Sequence, residues 1–415
     1  MVSFIGNNIK PKGKGLIPFS KVLLRRLKTV IGNGSGLFSG GAIAKFSDGA
    51  YTGASARSVD YGGAWTDFGS GVPPIVQIGS RLFLQSELAV ENKHIRVREF
   101  DNAAWTKTNS TIAANDATGP DGNATADKVV ENNDVAQRHH AKRDYNTDGS
   151  SPYCMSCYAK ADERSWLYFL MNTAGFPAHI TCYYDIANNI IGTDGGNLDT
   201  SGIEASANNY SRPYYSATSD AAAATPSGYE LANGDNGITY NGDGSSGLHL
   251  FNSQLEIGQY PSSPINSGAV ATTRAKDEFV WLSADVPDAL RGAFSFVWIA
   301  YWGSDYLDDI TFCEFDESGA SHNIRVWYDA TDQKIYVTDE TGSSTLVSSD
   351  ALTITRGDVI TISPDPAAGS ITVSGATAGN GTNVDTGWVT TAGDVCWGAN
   401  KLGGEQCLGL ISQPE

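Results

Sequence analysis

Rings spaced two residues apart are the side chains of this sequence best suited to recognising a ligand. Trp166 and Tyr168 fall on one face of any strand that holds them, and the adjacent pairs Tyr183–Tyr184 and Tyr214–Tyr215 each send one ring to either face. Flat aromatic faces against sugar C–H surfaces, with planar polar side chains for paired hydroxyls, are the equipment of carbohydrate binding. The expected contact residues are Trp166, Tyr168, Tyr184, Tyr215 and His139, the last from the polar run Gln137-Arg-His-His140. The competing place for each ring is a sandwich core, and Trp105 is assigned there outright.

Catalysis and metal binding find less to work with. Glycoside hydrolysis needs two carboxylates about 5 to 9.5 Å apart, and Asp305, Asp308, Asp309, Glu314 and Asp316 read instead as a solvated acidic loop. No Gly-x-Ser-x-Gly elbow, GxxxxGK phosphate loop or HExxH helix occurs. Cys154-x-x-Cys157 reads as strand, which turns the two thiols to opposite faces, and no second CxxC or paired His completes a zinc site. The loops Asn233–Asn236 and Asn241–Gly244 carry oxygen ligands but lack the EF-hand spacing with its closing Glu, and they read as tight turns. The expectation is a binding protein rather than an enzyme, with neither cofactor nor metal.

The elements that must position these residues read as strands. The 415 residues include 46 Gly and 9 Trp but only 3 Met, with 18% charged residues, a composition poor in what long helices favour. That length accommodates about two to three domains. The expected fold is all-β, two consecutive β-sandwich domains of jelly-roll or concanavalin-like type after an N-terminal arm with a short helix. The boundaries are 1–40 for a basic attachment segment, 41–95 for a short-strand connecting region, 96–275 for the first sandwich and 276–415 for the second. A linker is expected at Gly268–Lys276, where apolar periodicity lapses.

Charge is polarised along the chain. No carboxylate side chain precedes Asp48, while Lys10, Lys12, Lys14, Lys21, Arg25, Arg26, Lys28 and Lys45 supply eight cations; a total of −18 therefore leaves −26 for the remainder. Such an arm suits an acidic partner, whereas the acidic body argues against wrapping nucleic acid. Ser20 caps a short amphipathic helix over Lys21–Ile31, and Lys21, Leu24, Arg25, Arg26, Leu27 and Lys28 are the expected attachment residues. No stretch approaches the ~20 apolar residues that span a bilayer, and no secretory signal opens the chain. The expectation is a soluble product matured in a cytoplasm, its six cysteines free thiols.

Between 98 and 275 the motifs Glu99-Phe-Asp-Asn-Ala-Ala-Trp-Thr-Lys-Thr108, Gly119-Pro-Asp-Gly-Asn-Ala-Thr-Ala-Asp-Lys-Val129, Ser156-Cys-Tyr-Ala-Lys-Ala161, Tyr240-Asn-Gly-Asp-Gly244, Leu255-Glu-Ile-Gly258 and Ala271-Thr-Thr-Arg-Ala-Lys-Asp277 follow one another. In these the segment resembles a carbohydrate-binding-module-like domain of phage fibre and spike proteins. Phe251-Asn-Ser-Gln-Leu-Glu256 fits the family pattern, while Asn209-Tyr-Ser-Arg212 departs from it with Tyr210 in place of Trp. The resemblance implies a virion protein of a tailed phage or gene transfer agent, synthesised in the bacterial cytoplasm and placed as a capsid head spike in preference to a tail fibre. It implies capsid or tail subunits as partners of the arm, host surface polysaccharide as the ligand, and a homo-oligomer, with a trimer favoured. Nucleic acid binding and membrane insertion are not expected. The alternatives are a purely structural decoration protein and a capsule polysaccharide-degrading enzyme.

Overall fold

Period-two alternation sets which side of its sheet a strand residue takes, even where both sides are buried, as along Ile180–Asp185. In Trp166–Met171 the residues Leu167, Phe169 and Met171 enter a core while Tyr168 and Leu170 join a cluster on the opposite face. The computed structural model describes residues 50–51, 57–61, 64–78, 81–277, 279–281, 294–300, 309–316, 323–339, 344–354, 358–365, 368–375, 395–397 and 409–412. The expected helix and the attachment residues Lys21, Leu24, Arg25, Arg26, Leu27 and Lys28 lie outside these.

The described chain is all-β, with multiple antiparallel sheets. The first sandwich packs two six-stranded sheets. Its front sheet runs in the order Ile190–Asp194, Ile180–Asp185, Trp166–Met171, Ala224–Ala232, His139–Asn146, Thr106–Thr108; its back sheet runs Thr200–Ala205, Ser211–Thr218, Pro152–Ala161, Gly247–Ile257, Ala124–Glu131, Ser110–Thr118. Between them lie Leu167, Phe169, Tyr184, Tyr215, Tyr229, Leu250 and Leu255, each at most 1% exposed. Burying each such side chain contributes roughly 1.5–3 kcal/mol. Trp105 belongs to this core, its Nε1 donating to the Arg96 carbonyl at 3.0 Å.

The second sandwich is built from both sides of the first in sequence. One sheet joins Ala50–Tyr51, Phe279–Trp281, Val395–Trp397, Ile310–Asp316, Asn323–Asp329, Lys334–Asp339 and Ser344–Ser348. The other joins Ser370–Ser374, Val359–Asp365, Phe296–Ala300, Gly409–Ser412, Arg81–Ser86 and Ile75–Ile78. Leu84 pairs with Ile411, and Leu84 and Ile75 share a core with Phe296, Trp298, Phe312 and Tyr328. The segment expected to connect therefore supplies strands to the second sandwich, and the first is an insertion within it. Partners more than 300 residues apart in sequence leave no local signature of their pairing.

Entry and exit strands close the insertion. Val90–Asn92 pairs antiparallel with Thr272–Arg274, so the segment expected as a linker is in part a ladder. Below it, Arg274 Nη1 meets Glu87 Oε2 at 3.2 Å, with both side chains 2% exposed. Glu87 also accepts from the Ser263 amide at 2.6 Å and hydroxyl at 2.5 Å. A hairpin of Arg57–Tyr61 and Ala64–Phe68 touches both sandwiches: Val59 and Phe68 pack with Phe83, Val297 and Ile299, whereas Trp65 meets Tyr158 and Phe251 of the back sheet edge-on at 5.5 and 5.7 Å.

Candidate functional site

Antiparallel register places directly opposed residues on one face, and on the outer face of the front sheet it assembles three rows. Tyr183, Tyr168, Glu230, His140 and Thr108 lie opposite one another in turn across five strands. On one side of them Trp166 opposes Ala232; on the other, Thr181, Leu170, Gly228 and Lys142 stand in line. The rings of Tyr168 and Tyr183 are 4.7 Å apart and tilted by 55°.

At the other end of the central row, charge is tied down. Arg138 forks onto Glu230, with Nε to Oε2 and Nη2 to Oε1 both at 2.7 Å, and Lys142 Nζ lies 2.5 Å from Oε1. The Glu230 side chain is 0% exposed, and a buried carboxylate requires this kind of pairing. The Arg138 guanidinium lies 5.7 Å from the Tyr168 ring centre, within cation–π range. Gly228 is required here by close approach: a Cβ would stand 2.3 Å from the Ala141 carbonyl oxygen and 2.7 Å from the Lys142 stem, which folds across this position.

The opposite end is polar and turned outward. Asp235 accepts from the Thr193 amide at 2.8 Å and its hydroxyl at 2.9 Å, and Asn236 donates to Thr193 Oγ1 at 3.0 Å. Trp166 lies against Gly192, where a Cβ would approach its ring to 2.7 Å. Burial pushes the Tyr183 phenol up to about 12 and raises Tyr168 as well. Burial, with Lys142 next in effect, lowers His140 to about 4, so its imidazole is neutral at pH 7. The face thus offers rings, a neutral imidazole, amide and hydroxyl groups, and two cations sharing one carboxylate.

Of the residues expected to touch sugar, Trp166 and Tyr168 are on this face together. Tyr184, Tyr215 and His139 are not: each is 0% exposed. Tyr184 opposes Leu167 and Tyr215 opposes Met155, both on core-facing rows. His139 opposes Leu231 on the same side, packs on Tyr240 at 4.8 Å, and its Nδ1 lies 2.7 Å from the Asn109 carbonyl oxygen. In two of these pairs the outward member is the neighbour, Tyr183 or His140. Tyr214, the other half of the third pair, lies on the outer side of the back sheet and is 5% exposed, about as closely covered as Tyr168 and Tyr183, which are 7% exposed where they pack with Leu170 and Ala232 beside the more open Trp166.

Glu230 and Lys142 carry no signal of their own in the sequence, and Arg138 and His140 stand out there only as members of the run Gln137-Arg-His-His140. Alternation does mark their strand, because His139, Ala141 and Tyr145 are buried while His140, Lys142 and Asp144 are less so. The family-like strand around Tyr210 and Arg212 is covered instead: Tyr210, Tyr158, Phe251 and Ala126 form a cluster with Trp65 packed against it, and Arg212 Nη2 donates to Ser156 Oγ at 3.2 Å.

The loop oxygens considered for calcium have protein partners. Asp243 accepts from the Ser245 and Ser246 amides and from both hydroxyls, a local turn that depresses its carboxyl well below the usual range. In the acidic group further on, Glu314 is buried within Ile310–Asp316 rather than in a solvated loop, and Asp309 accepts from the Ala330 amide at 3.0 Å; Asp305 and Asp308 lie outside the described residues. Cys154, Cys157, Cys182 and Cys313 are buried free thiols. No protein-family model matches the chain, and no curated protein matches it in sequence.

Proposed function

We propose that this chain is a carbohydrate-binding spike or fibre protein of a virus-like particle, fastened by its basic N-terminal arm and presenting the front sheet of the first sandwich to host surface polysaccharide. The observation that carries the binding half is the row Tyr183–Tyr168–Glu230–His140 with Trp166 beside it. Rings supply contact area at little rotamer cost, and the fixed polar groups around them supply direction. The particle half rests on the polarised charge of residues 1–47 and on the resemblance of residues 98–275 to phage spike modules. Weak single-site affinity becomes adhesion when several copies act together, which favours a homo-oligomer.

Binding of the full chain to an array of bacterial surface glycans tests the first half. Trp166→Ala lowers affinity by about tenfold at unchanged fold, since a ring platform contributes about 1 kcal/mol or more. Tyr183→Ala does the same but also loses stability, because its ring packs on Tyr168, and is read beside a melting curve. No binding to any glycan by the assembled oligomer sinks it in favour of a structural decoration role. For the second half, deletion of residues 1–40 abolishes incorporation into particles; normal incorporation would refute the attachment role.

A further inference from the structure

Granting that the front sheet binds sugar, we infer that its ligand is an anionic glycan, whose carboxylate-bearing sugar sits with its acid group at the Arg138–Lys142 end of the face. Among the described residues Glu230 is the single carboxylate in contact with these two cations, and it neutralises only one of them. His140, between them in register, adds no charge at neutral pH. Asp235 stands at the far end beside Trp166, where Thr193 occupies both its oxygens. The face is thus a dipole, with surplus positive charge at one end and hydroxyl-accepting groups at the other.

The Arg138 fork leaves one guanidinium nitrogen over. Its Nε and Nη2 are spent on Glu230, no hydrogen bond involves Nη1 among the described residues, and the side chain is 39% exposed. A planar guanidinium already oriented by one carboxylate loses little freedom on meeting a second, and such charge-assisted bonds are about twice as strong as neutral ones. His140 Nδ1 is also out of solvent and without a hydrogen-bond partner. In a chain of net charge −18 a local cationic surplus is a departure from the background. A neutral glycan gains nothing from it, whereas a uronate or sialate is both steered and held by it.

The test uses the full chain and matched glycan pairs: hyaluronan and polyglucuronate against their carboxyl-reduced forms, and sialylated oligosaccharides against their asialo counterparts. Expected is at least about tenfold tighter binding to the acidic member of one or more pairs, weakening as salt rises. Lys142→Gln lowers that affinity about fivefold. Because Arg138→Gln alone strands a buried carboxylate, the paired variant R138Q/E230Q is measured too; it keeps the shape and loses the preference for acid. Equal or tighter binding to the neutral members overturns this inference while leaving sugar binding intact. Binding to neither member of any pair, but to other neutral glycans, overturns it likewise. No binding to any glycan removes sugar recognition itself. An acidic preference unchanged in both variants shows that the charge is read elsewhere and overturns the assignment to this end.

Discussion

Tyr184 and Tyr215 cross the first core in opposite directions. Tyr184, on the front sheet, donates its hydroxyl to the Tyr214 carbonyl of the back sheet at 2.7 Å, and Tyr215, on the back sheet, donates to the Ile180 carbonyl of the front at 3.2 Å. Phe169 lies between them, 4.9 Å from one ring and 5.7 Å from the other. Tyr184 thus reaches the residue next to Tyr215, and Tyr215 reaches the first residue of the strand that holds Tyr184, so the two bonds fix how the sheets are offset. Tyr184→Phe and Tyr215→Phe each leave a buried carbonyl with one partner fewer and cost about 1 kcal/mol. Urea unfolding reads the loss, and glycan binding by the folded variants stays unchanged. A binding defect at native stability would return these rings to the sugar site.

Two titrating groups give the stability of the protein opposite pH dependences. His140 has its folded value lowered to about 4, by burial first and then by Lys142. It therefore contributes stability that is fully present above pH 6.5 and is lost as pH falls through 4. Asp60 is raised to about 6, chiefly by burial, against the lowering influence of the nearby Ser206 hydroxyl and Arg212. Its contribution is fully present below about pH 3.8 and is lost as pH rises through 6. Each slope is limited to about 1.4 kcal/mol per pH unit for one proton. Thermal unfolding between pH 4 and 7 should show His140→Asn flattening the fall on acidification and Asp60→Asn flattening the fall toward neutrality. A profile that neither variant alters would show that both groups titrate alike in the folded and unfolded chain.

Much of this was legible in the sequence, and the parts that were not share a physical cause. Sheet class, the core place of Trp105 and the shared face of Trp166 and Tyr168 follow from period-two alternation, which is local. Alternation fixes which residues share a face but not which face is the core, and a one-residue error in frame exchanges Tyr184 for Tyr183 and His139 for His140. The frame becomes evident only from the opposing strand: Leu231 and Leu167 set it, and Ala224–Ala232 is obscured by Pro226 and Gly228, which read as turn signals. The pairing of Arg81–Ser86 with Gly409–Ser412 is non-local altogether, and nothing in either segment specifies the other.

Gly192 keeps Trp166 where it is. A methyl group there would stand 2.7 Å from both the Trp166 ring and Asp235 Oδ1, and 3.1 Å from the Tyr183 Cβ. The first two are side-chain atoms near the surface and can move; the ring yields by swinging away from its platform position. Gly192→Ala should therefore lower glycan affinity about fivefold to tenfold while changing stability by less than ~1 kcal/mol, separating ring placement from folding. Titration with the best array ligand, beside a melting curve, decides it. Full affinity with Trp166 displaced would remove that ring from the binding face.

The insertion of one sandwich into the other closes at a base where Glu87 and Arg274 face each other at 2% exposure. Arg274 also donates to Ser263 Oγ at 2.7 Å and to the Leu88 carbonyl at 3.2 Å, so its removal strands several buried acceptors at once. Arg274→Ala should cost about 3–5 kcal/mol, as breaking a buried pair does, while the double change E87Q/R274M, which removes both charges, recovers part of that loss. Because strands on both sides of the insertion meet at this point, the single variant should also admit protease at 86–92 and 272–278 before the sandwich cores open. Limited proteolysis with mass mapping, run beside denaturant unfolding, checks both effects. First cuts within the core strands, or a loss below about 1 kcal/mol, would show that the ladder between Val90–Asn92 and Thr272–Arg274 holds the base without its ion pair.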